Sequence, residues 1–241
     1  MLHKTKAIVL SSIPYSESNI ISKLFTEQAG LGTYMVRGVR KHNDRTKAAH
    51  FQPLRVIEIE TQDNKKSSLQ TVRTSCQLLN SDGINCDMVK TSIAIFMSEV
   101  INLSIREETV NRPLFDFLLD SIRQLEQADS KHLAEFHIRF LIDFAGKLGF
   151  SPMDNYNEQQ TVFNPVSGCF VSQPQDKDCF SVEQSRLLHA FLGKESHSSV
   201  NVCSSRAERN MLLDGLVLFY RIHITNNREI KSRNVLSTIL H

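Results

Sequence analysis

Residues 20–41 read Ile20-Ile21-Ser22-Lys23-Leu24-Phe25-Thr26-Glu27-Gln28-Ala29-Gly30-Leu31-Gly32-Thr33-Tyr34-Met35-Val36-Arg37-Gly38-Val39-Arg40-Lys41. Two short apolar runs, Ile20 to Phe25 and Gly32 to Val36, meet across a Gly-x-Gly turn at Gly30 and Gly32, as neighbouring strands do. Upstream, Ala7 to Leu10 is another short apolar strand. Downstream, Leu54 to Ile59 alternates, with Leu54, Val56 and Glu58 on one side and Arg55, Ile57 and Ile59 on the other. Leu69 to Val72 follows the turn Asp63-Asn64-Lys65-Lys66. Five short strands with turn signals every about 8–12 residues predict a small barrel or sandwich. Five strands in this length match an OB-fold, a barrel that commonly binds single strands on one face.

After about residue 80 the apolar period changes from two to that of a helix. Met88 to Ile105 carries Val89, Ile93, Phe96, Met97, Val100 and Leu103 at helical spacing. Pro113 stands where a first-turn proline opens a helix carrying Leu114, Phe117, Leu118, Ile122 and Leu125. His132 to Leu148 is a third, closed by Gly149. Residues 150–180 are rich in Pro, Asn, Asp and Gly, with one small hairpin, Thr161-Val162-Phe163 against Cys169-Phe170-Val171. Ser181 is the expected N-cap of Val182 to Leu192, Ser205 and Glu208 form a capping box before Asn210 to Thr225, and a last helix covers Ser232 to Leu240. The expected fold is therefore α+β: an OB-fold β-barrel over residues 1–80, then an α-helical domain over 81–241 with a small irregular insertion at about 150–180.

The chain has 241 residues, 41% hydrophobic and 22% charged, the balance of a water-soluble globular protein. Its run Ala7 to Leu10 is too short for a signal peptide, and no stretch reaches the roughly 20 apolar residues of a membrane span. A cytoplasmic protein with no membrane partner is expected. The five cysteines are scattered without a CxxC, so free thiols rather than a disulfide framework are expected. The net charge of +2 hides a segregation. Residues 1–80 carry 12 Lys and Arg against 6 Asp and Glu, residues 81–202 carry 10 against 17, and residues 203–241 carry 6 against 3. A basic first region fits a polyanionic partner.

Arg37, Arg40, Lys41, Arg45 and Lys47 make a basic cluster in and after a strand, suited to neutralising phosphates; the bland alternative is a solvated loop. Gly38, between them, lets a backbone approach closely. Tyr34 and Phe51 flank the cluster and are candidates to stack bases, or else core residues. Arg73 ends a strand, and Lys65 and Lys66 lie in a turn that extends a DNA face or only aids solubility. Arg206 and Arg209 share a face of the last long helix, with Arg221 further along, and offer a second basic surface, either to DNA or to a partner's acidic tail. Enzymatic motifs are missing. His132 and His137 do not form HExxH, and there is no P-loop, GxGxxG or GxSxG. Asp176 and Asp178 begin no calcium loop, and scattered acids such as Asp82 and Asp87 give only a weak nuclease alternative. No catalytic residue and no metal site are expected.

Ala7-Ile8-Val9-Leu10, Tyr15-Ser16-Glu17-Ser18-Asn19, Leu24 to Gly30, and Tyr34-Met35-Val36-Arg37-Gly38-Val39-Arg40-Lys41 follow one another in an order that resembles the RecO family of recombination mediators, with Asn19 in place of the usual Asp. The end of the chain, Arg209 to His223 and Ile230-Lys231-Ser232-Arg233, also looks like that family. The resemblance implies a non-enzymatic DNA-repair and homologous-recombination protein of the bacterial cytoplasm and nucleoid. Such a protein binds single- and double-stranded DNA and anneals complementary strands. With RecR, in the RecF pathway, it helps load recombinase onto strands coated by single-strand-binding protein (SSB). It also implies that Arg206 and Arg209 extend the DNA surface, and that an SSB C-terminal tail finds a cation among Arg123, Lys131 and Arg139. Many members hold zinc with four cysteines in the segment matching 154–172. Here Asp154-Asn155-Tyr156-Asn157 stands at the first pair and only Cys169 near the second, so a degenerate finger without zinc or other cofactor is expected. The rival reading is an OB-fold adaptor that binds protein and not DNA.

Overall fold

The first strand, β1, runs over Leu2–Pro14, far beyond the apolar run that marks it in the sequence. It is long because it serves two neighbours. Leu2 to Ile8 pairs with β4 (Val56–Gln62), and Ala7 to Pro14 pairs with β2 (Ile20–Thr26). A register shift between Val9 and Ser11 bends it from one partner to the other. β2 pairs with β3 (Gly30–Val36), β3 lies parallel to β5 (Gln70–Gln77), and β5 returns antiparallel to β4. The order β1-β2-β3-β5-β4 closes a five-stranded barrel, the OB-fold expected from the strand count. The structure, a computed structural model, describes residues 2–39, 45–62, 69–106, 109–193, 201–225 and 228–239, and for residues 2, 45–47 and 62 the backbone alone.

Alternation sorts β2 cleanly: Ile20, Ser22 and Leu24 face inward, Ile21 and Lys23 outward. Inside, Ala7, Val9, Leu24, Val36, Ile57, Ile59 and Val72 form the core. The inward Ser22 shares its hydroxyl with Ser12 at 2.9 Å, and Ser12 donates to the Phe51 carbonyl at 2.8 Å, so these buried polar atoms are satisfied. Gly32 leaves room for the Tyr34 ring, whose nearest carbon lies 2.8 Å from where a Cβ would stand. The alternation read over Leu54 to Ile59 fails at its start. Leu54 has φ +58, its amide bonds the Val9 carbonyl at 2.8 Å, and β4 begins only at Val56. Both sides of this stretch are buried, so polarity there does not report the strand's faces. A short helix, α1 (Arg45–His50), precedes β4 and carries no apolar period to announce it.

Helices α2 (Asp82–Cys86), α3 (Met88–Ser104) and α4 (Arg112–Gln127) pack with the barrel in one compact unit, Met1–Gln127. The change from strands to helices falls between Gln77 and Asp82, whereas the packing unit continues to Gln127. The Ser98 hydroxyl of α3 donates to the Leu10 carbonyl of β1, and Phe115 of α4 lies 6.0 Å from Phe25 of β2. Asp87 caps α3 through the Val89 and Lys90 amides, and Asn111 caps α4 through Leu114 N–H at 3.0 Å. Glu126 ties α4 to α2, accepting from the Gly83 and Ile84 amides at 2.6 and 2.9 Å.

The second unit, Ala128–His241, contains α5 (Ser130–Lys147), the hairpin β6 (Val162–Asn164) and β7 (Cys169–Val171), α6 (Val182–Leu192), α7 (Arg206–His223) and α8 (Ser232–Ile239). Ser181 and Gln184 form a reciprocal capping box on α6. The box expected on α7 is only half built: Ser205 accepts from the Glu208 amide, but the Glu208 carboxylate turns to the Ser204 amide at 2.6 Å. The irregular segment has its own core, in which Phe163 meets Phe170, Phe180 and Phe219 within 5.0–5.7 Å. Asn155 clasps it. Its side chain accepts from Phe170 N–H at 2.8 Å and donates to the Phe170 carbonyl and to Gln160 Oε1, both at 2.9 Å. Tyr156 stacks on His189 of α6 at 4.4 Å, and His189 Nδ1 meets Asp154 Oδ1 at 2.7 Å.

Candidate nucleic-acid interface

The barrel strands present an outward row set by register. Ile13 lies opposite Ile21, Ile21 opposite Met35, and Met35 opposite Thr71. Directly paired residues project from the same face, so these four side chains cross β1, β2, β3 and β5 side by side. One step along, Ser11, Lys23 and Thr33 form the neighbouring row. Arg37 follows β3 immediately and is exposed, and Arg73, exposed on β5, flanks the buried Val72 as Thr71 does. Lys23, Arg37 and Arg73 therefore belong to one curved face. Lys23 was missed in the sequence, although its alternation with Ser22 and Leu24 in β2 marks it as outward.

Gly38 has φ +73, a left-handed conformation that suits glycine, and nothing lies within 4 Å of where its Cβ would be. Its role at this point in the fold is conformational rather than spatial. The Gly38 amide donates to Asn19 Oδ1 at 3.1 Å, which fastens the tip of the β1–β2 hairpin to the start of the basic segment. Arg40, Lys41, Lys65 and Lys66 lie outside the described residues, and Arg45 and Lys47 are placed on α1 by backbone alone.

Of the two readings open for Tyr34 and Phe51, base stacking or core packing, burial favours the core for both, against the placing of Tyr34 among the DNA contacts. Tyr34 is 2% exposed and Phe51 3%, both inside the barrel. Burial raises the Tyr34 phenol pKa, against a hydrogen bond with Thr26 that lowers it. A ring enclosed in the core has no face to offer a base.

The other expected cations have mixed surroundings. Arg206 is exposed and donates to the Ser237 and Thr238 carbonyls, closing the last turn of α8, where a cation also suits the helix dipole. Arg209, half-buried, lies near enough to the interior for its charge to act on His137 and Cys203. Arg206 and Arg209 thus share a helix but not an environment. Arg221 is half-buried on the same helix, with its Nε enclosed. Arg123, on α4 of the first unit, pairs with Asp120 at 3.0 Å. On α5, Lys131 is exposed, whereas Arg139 pairs at 3.0 Å with the buried Glu135 and lies 5.1 Å over the Phe191 ring. Glu135 also accepts from the Cys203 amide at 2.6 Å, so this Arg–Glu pair fixes the interior.

Chemistry at the titratable residues is muted. Burial holds His137 down at about 3, with the nearby Arg209 adding to the effect, so it stays neutral at ordinary pH. Burial pushes the Cys203 thiol up to about 12, far from a reactive thiolate. Asp87 is engaged as a helix cap and Asp176 closes a turn on the Asp178 amide. In the segment 154–172 side-chain amides stand where the resemblance expects the first cysteine pair. Asn155 and Asn157 are engaged in amide hydrogen bonds, and among the described residues no three His, Cys, Asp or Glu converge to hold a metal ion. Among the described residues no helix is long and apolar enough to cross a membrane.

A family model described as Recombination protein O N terminal matches residues 1–81, and one described as Recombination protein O C terminal matches residues 86–233. The chain is 32% identical over 240 residues to the DNA repair protein RecO of Christiangramia forsetii, covering 99% of each. It is 33% identical to that of Flavobacterium psychrophilum, covering 98% of each, and 31% identical to that of Phocaeicola vulgatus, covering 99% of each.

Proposed function

The chain belongs to the RecO family of DNA-repair proteins, and from that premise we propose that it is a non-enzymatic recombination mediator that holds DNA on the outer face of its barrel. The observation that carries this reading is the register that gathers Lys23, Arg37 and Arg73 on one face, next to the basic segment 37–47. Cations so arranged neutralise phosphates and release counterions without reading sequence. The same screening favours annealing, because two complementary strands repel until their charge is offset. In this reading the protein works in the bacterial cytoplasm at the nucleoid, without a catalytic metal or cofactor. RecR and the SSB tail are its protein partners, and the recombinase is loaded onto SSB-coated strands. Of the tail-binding candidates, Lys131 is the most accessible, since Arg139 is engaged with Glu135 and Arg123 with Asp120. Arg206 and Arg209 are the proposed second contact with DNA.

Anisotropy of a labelled single-stranded oligonucleotide, titrated at several salt concentrations, tests this. Wild type is expected to bind with affinity falling as salt rises. Lys23→Ala/Arg37→Ala/Arg73→Ala is expected to weaken binding and flatten the log–log salt slope by about 2, at roughly 0.7 per phosphate contact on a single strand. An unchanged slope moves the site to Arg206 and Arg209. A folded protein that binds no DNA at low salt refutes the reading and leaves the protein-binding adaptor in its place.

A further inference from the structure

The outward row has chemistry that phosphate binding does not use. Ile13 is 58% exposed, and Ile21 and Met35 beside it are partly exposed, so three apolar side chains lie open on adjacent strands. Neighbouring strands are about 4.8 Å apart, so this strip is roughly 10 Å wide. Just past the end of β1, two residues after Ile13, comes Tyr15, 60% exposed. Its backbone is fixed: Tyr15 N–H donates to the Asn19 carbonyl at 3.1 Å, and Asn19 in turn accepts from Gly38. An open phenol ring thus stands on a braced hairpin tip beside the start of the basic segment. Scattered exposed apolar residues are ordinary. Here Ile13, Ile21 and Met35 are adjacent by register, an exposed aromatic ring follows two residues after Ile13, and Lys23, Arg37 and Arg73 stand on the same face, with Glu17 the one acid in the turn 15–19.

We propose that this strip is a base-binding platform: the unstacked bases of a single strand lie on Ile13, Ile21 and Met35, with one base stacked on Tyr15, while the flanking cations hold the phosphates. The inference rests on the reading that this barrel face binds DNA, and deepens it by making the face selective for strands with free bases. A duplex buries its base faces in the stack and presents only edges, so it meets the cations and not the platform. Apolar side chains and one ring have no hydrogen-bonding pattern to read, so the platform does not distinguish sequence.

The test uses three polyanions of equal length with the full-length protein: oligo-dT, an abasic deoxyribose-phosphate chain, and a duplex. The chain has no tryptophan, so Tyr15→Trp places a single indole reporter at the site. Wild type is expected to bind oligo-dT at least about 5-fold more tightly than the abasic chain, the lower end of what one stacked base contributes. Tyr15→Ala is expected to lose that margin while leaving abasic binding unchanged, and the Tyr15→Trp indole to be quenched by oligo-dT but not by the abasic chain or the duplex. If oligo-dT and the abasic chain bind alike and Tyr15→Ala changes nothing, the platform is refuted and the DNA reading stands. Equal quenching by the duplex also refutes it. If folded wild type binds none of the three at low salt, the DNA reading fails and the platform with it.

Discussion

Asn155→Ala removes the clasp of the irregular segment with a change of only a few atoms. Three hydrogen bonds disappear, at 2.8, 2.9 and 2.9 Å. Two of them satisfy both backbone groups of Phe170, whose side chain sits in the aromatic core at 1% exposure. A typical internal hydrogen bond contributes about 1 kcal/mol net, and more where a buried partner is orphaned, so the loss is about 3 kcal/mol. In a unit of this size each kcal/mol lowers the melting temperature by roughly 4 °C, which sets the expected drop near 12 °C. Asn155→Asp should not rescue it. Its carboxylate still accepts from the Phe170 amide but places an oxygen against the Phe170 carbonyl and Gln160 Oε1. Thermal melting by circular dichroism measures the shift, and hydrogen exchange at the Phe170 amide locates it. A chelator added to wild type should leave the melt unchanged, because side-chain amides hold the segment. A stability loss below about 0.5 kcal/mol with the Phe170 amide still protected would refute the argument, as would a chelator effect equal to that of the mutation.

Two further outcomes follow from single residues. In the unfolded chain His137 takes up a proton below its ordinary pKa of 6.5, whereas in the folded chain it resists until about 3. The unfolded state therefore binds more protons across that window, and stability falls with acidification by about 1.4 kcal/mol per pH unit. His137→Gln should flatten the pH dependence of the urea midpoint between pH 6.5 and 5, and an unchanged dependence assigns it to other groups. At Gly38, φ +73 makes Gly38→Ala cost about 1 kcal/mol through backbone strain alone, since open space surrounds the added methyl. A urea denaturation curve showing no loss would mean that the turn relaxes to negative φ.

Legibility in the sequence depended on whether one face of an element meets water. Ile20 to Leu24 alternates core and partly exposed positions, and its strand is plain from composition. Leu54 to Ile57 is buried throughout, so its apparent alternation misplaced the start of β4 and hid the left-handed turn at Leu54. Ser181 was readable because a serine followed by Gln184 satisfies helix amides locally; the neighbour Ser204, which captures Glu208, spoiled the same logic on α7. The basic face was half legible. Arg37 announces itself by clustering, but Lys23 joins it only through strand pairing. Tyr34 and Phe51 drew attention because they are aromatic and near the cluster, yet nothing in their spacing reports that Gly32 makes room for the Tyr34 ring. Tyr15 lies in a turn that reads as a connection, and its spacing does not report that the ring is exposed.

The two-sided pairing of β1 has a consequence for the nascent chain. Its pairing with β2 is available almost as soon as that strand is synthesised, but the Leu2 to Ile8 edge waits for Val56 to Gln62. At about 5–20 residues per second, that edge stays unpaired for some seconds at the ribosome, long enough for another strand to add to it. Lys4 on this waiting edge is matched only later, by Glu58 at 3.5 Å, whereas Glu27, next to β2, reaches Lys6 at 3.5 Å as soon as the first two strands pair. Exposed ion pairs of that kind contribute little to the finished barrel. The stronger effect of Lys4 comes earlier, when its unmatched positive charge keeps a half-made sheet from recruiting a stranger.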